Sequence, residues 1–121
     1  MPRLDRHPRL LARVRCAIGE NPLWHAERGR LVFVDIPRGA VHAYEPASGR
    51  HHVLHRGPLI GGMTLQADGA LLLFGAGTIS LLGDDGRRRV LARGLCGPGE
   101  RFNDVLADPC GRVFAGTVIE D

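Results

Sequence analysis

Ala107-Asp108-Pro109-Cys110-Gly111-Arg112-Val113-Phe114-Ala115-Gly116-Thr117 reads as a tight turn leading into a short apolar strand. In an Asp-Pro-x-Gly turn, proline presets φ at the first central position and glycine takes the left-handed position that closes it. Two other phrases have the same build: Glu27-Arg28-Gly29-Arg30-Leu31-Val32-Phe33 and Ala67-Asp68-Gly69-Ala70-Leu71-Leu72-Leu73-Phe74. Their turn glycines, Gly29, Gly69 and Gly111, recur at roughly 40 residues, within the range of four-stranded propeller blades. After each glycine the order repeats: apolar strand, short turn, second strand with a polar tip, turn, third strand. The segment before the next glycine, such as Ile60-Gly61-Gly62-Met63-Thr64-Leu65, is expected to supply the fourth strand of each blade.

Between these glycines the chain is a series of short β runs: 31–36, 40–44, 51–55, 70–74, 78–82, 88–92 and 113–117. Turn chemistry separates them, as in Pro37-Arg38-Gly39, Pro46-Ala47-Ser48-Gly49, Gly75-Ala76-Gly77 and Asp84-Asp85-Gly86. No helical period of comparable strength is present, so the fold class is all-β, a β-propeller. Leu11 to Cys16 alternates and predicts a further strand, whereas 19–30 reads as a loop rich in turn residues.

Upstream of the last turn lies Gly99-Glu100-Arg101-Phe102-Asn103-Asp104, which reads as a polar loop held by a sheet. In extended backbone, residues two apart point to the same side. Arg101 and Asn103 would then face one way while Phe102 packs inward. The plainer alternative pairs Arg101 with Asp104 or Glu100 and leaves Asn103 to cap a turn. Asp104 is expected to support the loop through backbone hydrogen bonds.

The phrase Arg101-Phe102-Asn103-Asp104, followed by Asp108-Pro109-Cys110-Gly111-Arg112 and Gly116-Thr117, resembles the SMP-30/gluconolactonase/LRE family, which includes regucalcin. A second match lies at the front, in Gly19-Glu20-Asn21-Pro22-Leu23-Trp24 and then Leu31-Val32-Phe33-Val34-Asp35-Ile36. The family pattern there is Gly-Glu-Gly-Pro-x-Trp, so Asn21 stands where a second glycine is usual. The resemblance implies a six-bladed propeller, of which this chain encodes about two and a half four-stranded blades. Residues 1–10, with two prolines, three arginines and no periodicity, read as a flexible leader, and 11–121 as the partial propeller domain.

The resemblance also implies a chemistry, hydrolysis of a sugar lactone assisted by one divalent metal ion, Ca, Zn, Mn or Mg. A lone loop glutamate is ordinarily just solvated, but the family uses the residue matching Glu20 as a metal ligand, and a carboxylate oxygen suits such cations. The matching Arg101 and Asn103 contact the substrate, and Asp121 falls where the family can place an acidic substrate contact. The general base and the remaining metal ligands are expected beyond Asp121. Trp24 reads as blade packing beside the metal loop. The alternative is a non-catalytic propeller module used for binding or assembly.

An open arc of blades leaves sheet edges uncovered, and such edges invite self-association. The expectation is a fragment of a longer gene or a truncated frame, with a half-propeller completed by another chain as the third option. The partner that the resemblance implies is a small-molecule sugar lactone.

Composition narrows the remaining classes. The chain has 121 residues, is 44% hydrophobic, carries a net charge of +3 and contains no Lys. Its one dense basic run, Arg87-Arg88-Arg89, has no interleaved aromatics and reads as a solvated edge, so no nucleic acid is expected. No stretch reaches membrane-spanning length. The cysteines Cys16, Cys96 and Cys110 are odd in number and lack a Cys-x-x-Cys spacing, which suits reduced thiols in a cytoplasm. His51 and His52 point to opposite faces of a strand, as do His52 and His55, so no histidine pair reads as a ligand set.

Overall fold

The computed structural model describes residues 3–120, so Asp121 lies outside the described residues. Ten strands follow one another: β1 (Gly19–His25), β2 (Arg30–Asp35), β3 (Ala40–Glu45), β4 (Arg50–Arg56), β5 (Gly62–Leu65), β6 (Leu71–Phe74), β7 (Ile79–Leu82), β8 (Arg88–Ala92), β9 (Glu100–Ala107) and β10 (Val113–Ile119). The only other regular element among the described residues is a 3-10 turn, Ala26–Arg28. Every pairing is antiparallel between sequence neighbours, in sheets β1-β2-β3-β4, β5-β6-β7-β8 and β9-β10. That is two four-stranded blades and half of a third.

The repeat of turn glycines is exact in structural terms. Gly29, Gly69 and Gly111 each join the first and second strands of a blade, each with positive φ (59°, 89° and 84°). Each donates its backbone N–H to the carbonyl three residues back: Ala26, Gln66 and Asp108. Positive φ is strained for residues with a Cβ, so glycine is required there.

Three expectations are corrected. The segment ending in Leu65 opens the second blade and does not close the first: β5 pairs only with β6 in its sheet and packs against β1 and β9. The chain leaves the first blade at Gly57-Pro58, because proline offers no N–H to continue a ladder. The supposed loops at 19–30 and 99–104 are largely strand, β1 and β9. Their turn-forming residues sit in bulges, where register shifts between Glu20 and Leu23 and opposite Ala115-Gly116. Residues 11–16 form no strand; they run past Leu31, Phe33 and Tyr44, with Ala12, Val14 and Cys16 more covered than Arg13 and Arg15.

The main core lies between the first two blades. Val32, Val34, Ile36, Val41 and Ala43 meet Ile60, Met63, Leu71, Leu73 and Leu82, all buried. Alternation explains the choice, since Val32 and Val34 face inward while Leu31 and Phe33 are only half-buried. A smaller cluster of Phe74, Phe102 and Val105 joins the second blade to β9. There the Phe74 and Phe102 rings meet edge to face at 5.3 Å.

Candidate functional site

The three innermost strands lie side by side, β5 between β1 and β9. Their leading ends place Glu20, Gly61-Gly62 and Arg101–Asn103 in a row; the turn glycines lie at the trailing ends. Contact at the leading ends is close. A Cβ added to Gly61 would lie 1.7 Å from the carbonyl oxygen of Phe102, and one on Gly62 would lie 2.5 Å from Val105. The second blade has no side chain at this point because the neighbouring strand needs the room.

Glu20 and Asn103 hold matching positions on β1 and β9. Each directly precedes a bulge residue with positive φ, Asn21 at 58° and Asp104 at 53°. A bulge re-aims the adjoining side chains and bends the strand. Asn21 is fastened: its side-chain Oδ1 accepts the N–H of Met63 and its Nδ2 donates to the Met63 carbonyl, both at 3.1 Å. The residue that departs from the family pattern therefore bridges the first two blades. Asp104 is exposed and its side chain holds no hydrogen bond among the described residues, contrary to the expected supporting role.

Arg101 and Asn103 share one side of β9, and the Arg101 Nη1 donates to Asn103 Oδ1 at 3.3 Å and to the Phe102 carbonyl at 3.0 Å. The ion-pair partner of Arg101 is Glu120 at 2.5 Å; neither Glu100 nor Asp104 takes that role. Phe102 is buried beneath them. Glu20 is exposed and forms no ion pair or side-chain hydrogen bond among the described residues. A free carboxylate at the end of a rigid strand has the chemistry of a single hard-cation ligand. Trp24 is 54% exposed in this chain, while its neighbour Leu23 packs on the core between the first two blades.

Sequence reading missed a cluster behind β1, where ligand atoms of Cys16, Asp35 and His42 lie within 4.8 Å of one another. Asp35, at the end of β2, is 1% exposed. Its carboxylate accepts the amides of Ala17 and Ile18 and the Arg38 guanidinium, each at 3.1 Å. Burial alone would raise its pKa, but those amides and Arg38 outweigh it and hold the carboxyl below its usual value. Burial and the Asp35 charge push the Cys16 thiol up. Burial and His51, whose Nε2 lies 2.9 Å from His42 Nδ1, push His42 down. With its carboxylate saturated and a guanidinium against it, this cluster anchors the segment that leads into β1. The signal was present in Phe33-Val34-Asp35-Ile36, a carboxylate set inside an apolar run.

The comparisons with known proteins bear on the family and the fold. The family model for the SMP-30/gluconolactonase/LRE-like region matches residues 18–121. A pentonolactonase of Haloferax volcanii is 46% identical over 107 residues, covering 88% of this chain and 36% of that protein. Regucalcin of Xenopus laevis is 35% identical over 106 residues, covering 86% and 36%. Among solved structures, a luciferin-regenerating enzyme superposes with a TM-score of 0.76 at 25% identity, over 88% of this chain and 38% of that one. The chain thus spans a little over a third of the length of the curated relatives it matches. Its fold is that of part of a β-propeller. The chain belongs to the SMP-30/gluconolactonase/LRE-like family.

Proposed function

We propose that the protein carrying this chain hydrolyses a sugar lactone with the help of one divalent cation. The observation that supports this reading is the alignment of Glu20, Arg101 and Asn103 at the leading ends of adjoining inner strands, in a family with members named as lactonases. Glu20 would hold the cation as one oxygen ligand among several. When bound, a divalent cation polarises a carbonyl and lowers the pKa of an attacking water.

The residues of this chain then bind and orient. The Arg101 guanidinium presents a planar fork to the lactone oxygens, and the Asn103 amide adds a donor and an acceptor beside it. The bond to the ring oxygen breaks, water oxygen joins the carbonyl carbon, and the hydroxy acid releases one proton. The general base is assigned to none of the residues described. Asp121 remains a candidate substrate contact. Ca, Zn, Mn and Mg all suit a carboxylate oxygen. The three cysteines form no disulfide, which favours a reducing compartment such as the cytoplasm. Among the described residues no helix is long and apolar enough to cross a membrane.

Proton release from a panel of sugar lactones tests the proposal, with each metal added and then chelated. Turnover is expected to depend on metal and to fall about a hundredfold or more in Glu20→Gln, with weaker calorimetric metal binding. Full metal-dependent turnover in Glu20→Gln would refute the assignment. A second reading, a non-catalytic binding or assembly module, draws on Leu106, Phe114 and Ile119, which are well exposed. Sedimentation showing only monomer at high concentration would remove it.

A further inference from the structure

A cavity of about 160 Å³ lies between the outer strand of the first blade and the face of the second, apart from the candidate site. Its polar lining is His55, Thr78, Ser80, Arg88 and Arg93, set among aliphatic residues, with no Asp or Glu. Ser80 is 3% exposed, and its Oγ accepts the Nε–H of Arg88 at 3.1 Å. A hydroxyl that accepts in this way keeps its own proton for another acceptor. Neither Arg88 nor Arg93 has a carboxylate partner among the described residues. Within the Arg87-Arg88-Arg89 run only Arg88 turns inward, as strand alternation requires. The cavity thus gathers positive charge and hydrogen-bond donors without a counter-charge.

We propose that this cavity binds a small oxyanion of the carboxylate or phosphate type, gripped by Arg88 and Ser80 with Arg93 at its rim. Arg88 has its two η nitrogens free for the fork geometry that oxyanions favour. Size sets the class of ligand. The volume is several times the roughly 30 Å³ share of one water, yet well under the roughly 300–1,000 Å³ of pockets for drug-sized molecules. Thr78 adds a hydroxyl to the wall. Burial and the Arg88 charge push His55 below its usual pKa, so an arriving anion would offset part of that shift. The site also adjoins the inner strands: the Gly75 carbonyl in its wall accepts the N–H of Phe102 at 3.0 Å.

The test titrates the intact protein at low ionic strength with inorganic phosphate and, separately, with acetate, following the His55 imidazole by NMR and the melting temperature. Saturable shifts of the His55 signals are expected, with a higher apparent pKa and a melting temperature that rises with anion concentration. Arg88→Gln and Ser80→Ala should weaken binding at least tenfold, and Arg93→Gln by less. Whichever anion binds more tightly identifies the headgroup. Should Arg88→Gln lower the anion-free melting temperature sharply, Ser80→Ala, which removes one oxygen, decides. The proposal is overturned if neither anion moves His55, if the variants bind as the parent does, or if sodium chloride at matched ionic strength gives the same response.

Discussion

β1 and β9 are the same device built twice, with different fastening. Each runs beside β5, each presents a candidate polar residue at its leading end, and each bulges immediately afterwards at a residue with positive φ. At β1 the bulge residue Asn21 is tied to Met63, and the segment entering the strand is pinned by buried Asp35. At β9 the bulge residue Asp104 is free, and the entry is pinned by Glu100, which accepts the Gly97 amide at 2.8 Å. The first strand sits against a broad aliphatic core, whereas the second sets its own Phe102 and Val105 against Phe74 in a much smaller cluster. Position along the strand is therefore a property of the repeat, whereas rigidity comes from what each blade finds beside it.

Removing the contact that the two strands share through β5 should have the largest effect. Gly61→Ala puts a methyl into the Phe102 carbonyl. Backbone cannot yield as a flexible side chain does, so β9 is expected to lose its place against β5. Hydrogen exchange should then quicken across β9 and β10 while β2 and β3 stay protected.

The two carboxylate pins should differ next. The folded-state pKa of Asp35 is depressed below its unfolded value near ~3.9. The stability it contributes is thus present above that value and is lost as pH falls through the lower folded value. Asp35→Asn should lower stability by about 2 kcal/mol at neutral pH and flatten the acid limb of the stability profile. Glu100 is also depressed, by the Gly97 amide and then Thr117, so its dependence has the same sign; being at the surface, Glu100→Gln should change the profile far less. Equal effects from the two substitutions, measured by denaturant unfolding across pH, would erase the contrast.

The bulge residues give the sharpest pair. Asn21→Ala forfeits both bonds to Met63 and keeps a left-handed backbone, a loss of about 1–3 kcal/mol. Asn21→Gly forfeits the bonds but relieves the backbone and should lie between that variant and the parent. Asp104→Gly should stay within about 0.5 kcal/mol of the parent, because relief of φ and added unfolded-state entropy nearly cancel. An Asp104→Gly variant as destabilised as Asn21→Ala would mean that Asp104 is fastened after all.

The blades were legible because their marker is local. Gly29, Gly69 and Gly111 meet the same φ requirement in the same turn, and no distant residue is needed to read them. The polar residues Glu20, Arg101 and Asn103 could be singled out for a similar reason, their short motifs. β1 and β9 were read as loops because Asn21-Pro22 and Asn103-Asp104 look like turns; pairing with β2 and β10 overrides that preference and stores the turn residues in bulges. The pairing of Arg101 with Glu120, and the junction of Cys16, Asp35 and His42, depend on residues far apart in sequence and brought together only by the sheets. Strand alternation turns Leu23 toward the second blade and its neighbour Trp24 to the other face of β1.

The link between Asn21 and Met63 also bears on how the protein ages. Asparagine deamidates most readily when the backbone nitrogen of the next residue attacks the side-chain amide and closes a five-membered ring. The next residue here is Pro22, whose nitrogen carries no hydrogen. That route is closed at the one asparagine whose amide spans two blades. Conversion to Asp would set a carboxylate oxygen against the Met63 carbonyl where a donor now sits. Proline at this position therefore protects the junction chemically as well as shaping the bulge, and a stored sample should keep the first two blades joined after Asn103, the chain's other asparagine, has turned over.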